Sequence, residues 1–202
     1  TMGRSRHLLE PIDGLAIHGA GQDDPAFHNY SRIMPNNTRP SIYMAYVNIQ
    51  NLNTTYSSTW FGTLAKNLAN YGQQADWLLI PQIGLSMTHC STSGGGKQSC
   101  EEDVAAGRYD HAISQLAAGL RALDRPVFVR IGYEFNGEWN GYKPQPYRLA
   151  WARVTAAVRA SGQPHPVAFV WDASCGARDL DFAKFRPEND TNVDWFGINV
   201  FG

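Results

Sequence analysis

The chain is poor in the features that mark several protein classes. No run of about 18 apolar residues occurs, so no segment reads as a membrane span. The opening "TMGRSRHLL" lacks the apolar core of a signal peptide, although a processed start would look the same. Charge is scarce and balanced: 17% of the 202 residues are charged and the net charge is −1. Without a basic stripe there is no field to hold a polyanion, which excludes nucleic acid as a natural partner. The six histidines are scattered, with no pair at ligand spacing, so no metal is expected. Gly-x-Ser-x-Gly is absent, which argues against a serine hydrolase. "IHGAGQDD" carries Gly19 and Gly21 but lacks the third glycine of a dinucleotide turn and a clear helix after it. No cofactor is expected.

Cysteine is rare too. Cys90 and Cys100 flank "STSGGGKQS", read as a flexible loop that the two thiols could close as a disulfide. Cys175 is left over, either as a buried thiol or with a partner outside the chain. Four Asn-x-Ser/Thr triplets begin at Asn29, Asn36, Asn53 and Asn189. With a disulfide, they favour a secreted glycoprotein.

Short apolar runs alternate with longer helical patterns. "GLAIHGA" (14–20), "SIYMAYVNI" (41–49), a run from Trp77 to Ile83, "PVFVRIGYEF", "PVAFVWDAS" and "VDWFGINVF" read as six strands. Their near-continuous apolar character fits parallel strands covered on both faces. Between them, "TWFGTLAKNLANYG" has helical spacing and a C-terminal Gly72. "EDVAAGRYDHAISQLAAGLRALD" reads as one helix with Val104, Tyr109, Ile113, Leu116, Leu120 and Leu123 on one side. "PYRLAWARVTAAVRASG" places Leu149, Ala150, Val154, Ala157 and Val158 together. The βαβα order points to a right-handed parallel α/β fold. Polar residues gather at the expected strand ends: His18, Asn48 and Gln50, Gln82, Glu134, Asp172 and Asn199. In a (β/α)8 barrel those ends converge on one face. That favours a single barrel domain over residues 1–202 with about six of eight β/α units.

The stretch "VFVRIGYEFNGEWNGY" (127–142) carries the densest chemistry. A carboxylate where a buried strand meets a cleft is partly desolvated, which favours its neutral form, as a general acid requires. Glu134 fits that role. Arg130, four residues earlier, should share its side of the strand by period two, as a core ion pair or a site residue. Asn136 could donate to and accept from a sugar hydroxyl. Trp139, Tyr142 and Trp171 offer flat faces for a sugar ring.

"RIGYEFNGEWNGY" resembles the acid/base segment of glycoside hydrolase family 26 and its clan A relatives, which pair an Arg with His-Glu-Met-Asn-Gly and a following aromatic. Arg130, Glu134, Asn136, Gly137 and Trp139 match; Tyr133 and Phe135 stand where that pattern has His and Met. "YRLAWARVTAAVR", "PVAFVWDAS" and "NVDWFGINVF" are similar to the helix and two strands that follow in the family, so the resemblance covers about residues 126–202. It implies a (β/α)8 barrel that cleaves a β-linked polysaccharide, mannanase- or glucanase-like, by a retaining two-carboxylate mechanism. Glu134 would be the acid/base. Arg130, Tyr133, Asn136, Trp139, Tyr142, Trp171, Asp172, His18, Gln82 and Asn199 would contact the polysaccharide or oligosaccharide, in a secreted monomer. The clan's nucleophile is a Glu ending strand seven, which these six strands do not reach. Three readings stand: an incomplete C-terminus, favoured because two missing strands leave two open sheet edges; a barrel that binds sugar without cleaving it; or a substitute carboxylate, Asp172 before Glu138.

Overall fold

The computed structural model describes residues 8–11, 15–21, 24–72, 79–92, 95–188 and 190–201. Six parallel strands follow one another in space as they do in sequence: β1 (Gly19–Gly21), β2 (Ile42–Asn48), β3 (Ile80–Ser86), β6 (Val127–Ile131), β7 (Val167–Ser174) and β8 (Trp195–Asn199). Between β3 and the next helix an antiparallel hairpin, β4 (Thr88–Thr92) and β5 (Gly95–Ser99), stands apart from the sheet. Sequential parallel pairing with helical crossovers is the barrel topology. The sheet is the curled part of a (β/α)8 barrel with six of its strands.

Register sorts the strand residues onto two faces. Outward go Tyr43, Val47, Ile83, Leu85, Val127, Val129, Ile131, Phe169 and Ala173, which join the main hydrophobic core with the helices. Inward go Ile42, Phe128, Ala168 and Val170, a second apolar cluster closed by Ile80 and Trp195. Two residues further up the same strands the inner face turns polar: Arg130 follows Phe128, Asp172 follows Val170, and Asn199 lies four beyond Trp195. Apolar floor and polar rim are thus written into alternate residues of each strand.

The helices are α1 (Asp24–Ile33), α2 (Ile49–Leu52), α3 (Tyr56–Gly72), α4 (Glu101–Ala105), α5 (Asp110–Ala122) and α6 (Pro144–Ala160). Helix α1 does follow β1, contrary to the sequence expectation. The expected helix over 102–124 is two helices. Gly107, at φ +83°, takes a left-handed turn between them, a conformation that continues neither. Both pieces still bury Val104, Tyr109, Ile113, Leu116, Leu120 and Leu123. Helix α6 starts at Pro144, where a missing N–H costs nothing, and stops before Gly162 at φ +64°. Its buried stripe is Tyr147, Ala150, Trp151, Val154, Thr155 and Val158; Leu149 and Ala157 face solvent instead. Two large aromatics carry the packing that the expected aliphatic stripe was assigned.

Strand β1 is shorter and later than the expected run 14–20, and β3 is displaced toward its C-terminus, with Trp77 and Leu78 outside the described residues. The loop between Cys90 and Cys100 is a hairpin and not an irregular loop, and those cysteines form a disulfide. Cys175 is exposed and free.

Candidate active site

The polar rim converges at the C-terminal ends of β2, β6 and β8. There a cleft of about 490 Å³ is lined by Met44, Tyr46, Arg130, Tyr133, Glu134, Asn199 and Phe201. Its floor is an ion pair. Arg130, 4% exposed, donates Nη2 to Asp172 Oδ2 at 2.6 Å; Asp172 is 3% exposed. The same Nη2 reaches Asn199 Oδ1 at 3.3 Å, and Nη1 reaches the Tyr46 hydroxyl at 3.3 Å. Burial pushes the Asp172 carboxyl above its ordinary value, against the pull of the Arg130 charge. The ion pair is therefore Arg130 with Asp172, and not with the glutamate on its own segment.

Strand β6 ends at Ile131, so Glu134 lies in the loop beyond it and does not follow the strand's alternation. Gly132 and Glu134 both adopt φ +54°. Such a conformation is uncommon outside glycine and costs on the order of 1 kcal/mol or more unless its surroundings fix it. Here they do. Phe135 N–H donates to the Asp172 carbonyl at 3.2 Å. The Glu134 carbonyl accepts from Gly137 N–H at 2.8 Å and from Asn140 Nδ2 at 2.9 Å. This turn aims the half-buried Glu134 side chain at the cleft, where both oxygens find donors: Asn199 Nδ2 on Oε1 at 2.9 Å and Trp139 Nε1 on Oε2 at 2.8 Å.

Trp139, 43% exposed, closes over Gly137, where an added Cβ would come within 2.4 Å of the indole. Tyr133 covers the Arg130 guanidinium at 5.2 Å and meets Tyr46 edge-on at 5.2 Å between ring centroids. Both tyrosine rings occupy the space above Gly84 of β3, where a Cβ would lie 2.5 Å from the Tyr46 ring. The two rings and the exposed Trp139 give the cleft flat apolar surface beside a carboxylate.

Arg130, Tyr133, Glu134, Trp139, Asp172 and Asn199 are thus brought together as the sequence pattern suggests. Five other expected contacts lie elsewhere. Asn136 is buried and fully engaged: Nδ2 donates to the carbonyls of Ser174 and Asp179, each at 2.9 Å, and Oδ1 accepts from Ser174 N–H at 2.8 Å. Tyr142 is buried against Tyr147, its hydroxyl accepting from Met87 N–H at 3.1 Å. Trp171 neighbours Asp172, so the pleat turns it outward, where it stacks on Phe135 at 4.7 Å and 6°. His18 precedes β1 and bonds Thr38 and Tyr30 at the opposite end of the sheet. Gln82 is only the third residue of β3 and lines a separate hollow of about 540 Å³ among Ile42, Phe128, Val170 and Trp195. Asn48 caps α2 through Gln50 N–H. Sequence reasoning passed over Tyr46, Met44 and Phe201. Tyr46 had a usable signal: it lies two residues before the end of β2, on the inward-facing register.

Among the described residues, no group of three or more His, Cys, Asp or Glu could hold a metal ion. Of the candidate second carboxylates, Asp172 is held in a buried pair with Arg130, and Glu138 lies on the surface, 3.5 Å from the exposed Arg178.

Fold and rim together define a partial (β/α)8 barrel with a carboxylate-bearing cleft at the C-terminal ends of its strands. Solved barrels of glycoside hydrolase type share this fold. A Bacillus subtilis mannanase superposes with a TM-score of 0.60 at 18% identity, covering 92% of this chain and 62% of that one. A family 26 beta-mannanase from Bacteroides ovatus gives 0.55 at 14% identity, covering 79% and 52%. In sequence, the chain is 28% identical over 203 residues to a beta-1,3-xylanase of an Alcaligenes species, spanning 98% of this chain. It matches only 40% of that relative's length. No family model matches. The expected likeness to family 26 barrels is therefore found in the fold, and likeness to a named glycosidase in the sequence.

Proposed function

We propose that this chain carries the acid/base part of a retaining glycoside hydrolase acting on a β-linked polysaccharide, with beta-1,3-linked xylan the first candidate substrate. The observation that supports it best is Glu134. It is a half-buried carboxylate on a strained turn, tied through Phe135 N–H to the Asp172 carbonyl and presented to an aromatic-lined cleft. The sequence relative's name favours xylan over mannan, since the mannanase likenesses are to fold alone.

In this reading a sugar ring lies against Trp139 or Tyr133. Glu134 protonates the glycosidic oxygen as the bond to the anomeric carbon breaks. It then takes a proton from the water that releases the sugar from the enzyme. Asn199 orients the carboxyl through Oε1, and Trp139 through Oε2. Retention needs a second carboxyl about 5–5.5 Å away. Asp172 is held by Arg130 and Glu138 lies on the surface beside Arg178, so in this reading the nucleophile comes from the part of the relatives' length that this chain does not match. In this reading the enzyme is secreted, which the disulfide and the exposed acceptor residues Asn29 and Asn53 support.

The test uses the full-length protein and a panel of beta-1,3-xylan, mannan and mixed-linkage glucan, assayed for reducing ends. Glu134→Gln should lower kcat by roughly 10²–10⁴-fold, the usual share of general acid–base catalysis, while polysaccharide binding persists. Undiminished hydrolysis by that variant would refute the assignment.

A further inference from the structure

The loop that holds Glu134 does not stand alone. Its second half, residues 138–143, is fastened to the neighbouring hairpin by a row of bonds. Gln98 Nε2, near the end of β5, donates to the Glu138 carbonyl at 3.0 Å and to the Trp139 carbonyl at 3.2 Å. Ser99 Oγ donates to the Gly141 carbonyl at 3.1 Å. Glu101 Oε1 accepts from Lys143 N–H at 2.9 Å. Gly141, at φ +68°, leaves room for the Gln98 side chain; an added Cβ would lie 2.6 Å from Gln98 Cδ.

The hairpin is itself fixed at both ends. The Cys90–Cys100 disulfide ties its first strand to the residue after its second. Cys100 N–H donates to the Met87 carbonyl at 2.8 Å, and Asn48 Nδ2 donates to the Thr88 carbonyl at 2.6 Å. A connected path therefore runs from a covalently closed hairpin, through Gln98, to the backbone of Trp139, and from the Trp139 indole to Glu134 Oε2.

We propose that the Cys90–Cys100 hairpin is a positioning strap for the acid/base, with Gln98 as the positioning residue that sets Trp139 against Glu134. This rests on Glu134 being the acid/base. The physical reason is reach. Buried Gly137 and Asn140 anchor the loop on either side, but Glu138 and Trp139 between them are exposed, and their carbonyls accept from Gln98. Two donors from one amide group fix two successive carbonyls of that loop. Misplacing a catalytic group by about 1 Å can cost up to roughly 10²-fold in rate, so a bond that fixes the indole acts on kcat.

A general acid matters only when the leaving group needs a proton. A dinitrophenyl glycoside departs without one, whereas a sugar does not. In the full-length protein, Gln98→Ala should lower kcat about ten-fold on beta-1,3-xylan, or on whichever polysaccharide of the panel is cleaved. KM should be little changed, and formation of the glycosyl-enzyme from a dinitrophenyl β-xylobioside should keep its rate. Gln98→Glu, of the same shape but without an N–H, should match the alanine variant. Gln98→Lys, a donor of similar reach, should recover most of the loss. Exchanging both cysteines for serine should give the same selective loss; should that variant fail to fold, the Gln98 series decides alone. Equal losses on both substrates, or no loss in Gln98→Ala, would overturn the strap. Glu134→Gln separates the two ideas. If it shows the leaving-group dependence and the Gln98 variants do not, only the strap fails. If Glu134→Gln lacks it, or no polysaccharide is cleaved, the acid/base reading fails and the strap with it.

Discussion

Asn136 shows how far a residue's role departs from its chemical capacity. Its amide can serve a sugar hydroxyl, yet it makes three bonds to the backbone at the end of β7 and the loop beyond, at Ser174 and Asp179. It latches the loop that carries Glu134 to the neighbouring strand. Asn136→Ala leaves a buried N–H and two carbonyls without their partner, costing roughly 3 kcal/mol. Urea unfolding should show that loss, while KM for polysaccharide stays within error of the wild type. A rise in KM with stability unchanged would return Asn136 to the binding surface. Tyr133 and Trp139 are legible as cleft aromatics from the motif because they flank Glu134. Tyr142 looked equivalent, but its place is decided by the turn after Trp139, which sends its ring back into the core beside Tyr147.

Elements obey periodicity until a glycine or a neighbour intervenes. Helices α3 and α5 approach so closely that a Cβ on Gly119 would meet the Phe61 ring at 2.1 Å. In an exposed helix, glycine to alanine gains about 1 kcal/mol from helix propensity. At Gly119 the sign reverses: overpacking of this kind costs typically 1–3 kcal/mol, so Gly119→Ala should lower the denaturation midpoint. A midpoint that rises would mean the helices are free to separate. The apolar stripe of α5 was readable from spacing alone. The break at Gly107 was not, because a helical glycine and one at φ +83° look alike in a string of letters. What tells them apart here is the Arg153 guanidinium over the turn, which bonds Asp110 at 2.6 Å and would lie 2.4 Å from an added Cβ at Gly107.

At the scale of the whole molecule, burial sets the pH behaviour. Tyr43, Tyr142 and Tyr147 are pushed well above the ordinary tyrosine value, in each case first by burial. In the unfolded chain they ionise near pH 10. Groups whose folded value is raised add stability that is fully present below the unfolded value and is lost as pH rises past it. The protein should therefore weaken above about pH 10, and the tyrosinate absorbance of these three rings should appear only with unfolding. Early ionisation in the intact fold would contradict their burial.

The sequence by itself determined the parallel α/β architecture, because near-continuous apolar strands alternate with helical patterns that can cover both of their faces. It also marked the segment that supplies the cleft carboxylate, since Arg130, Glu134 and Trp139 lie within ten residues. Only the tertiary structure decided which of the remaining polar and aromatic residues join them. Asp172 faces inward and Trp171 outward because the pleat alternates, and that choice is fixed by register with β6 and β8. Asn199 reaches Glu134 across 65 positions of sequence, and Gln98 reaches the Trp139 carbonyl across 41. Contacts of that span arise from curling the sheet and closing the hairpin, which no local pattern of residues records.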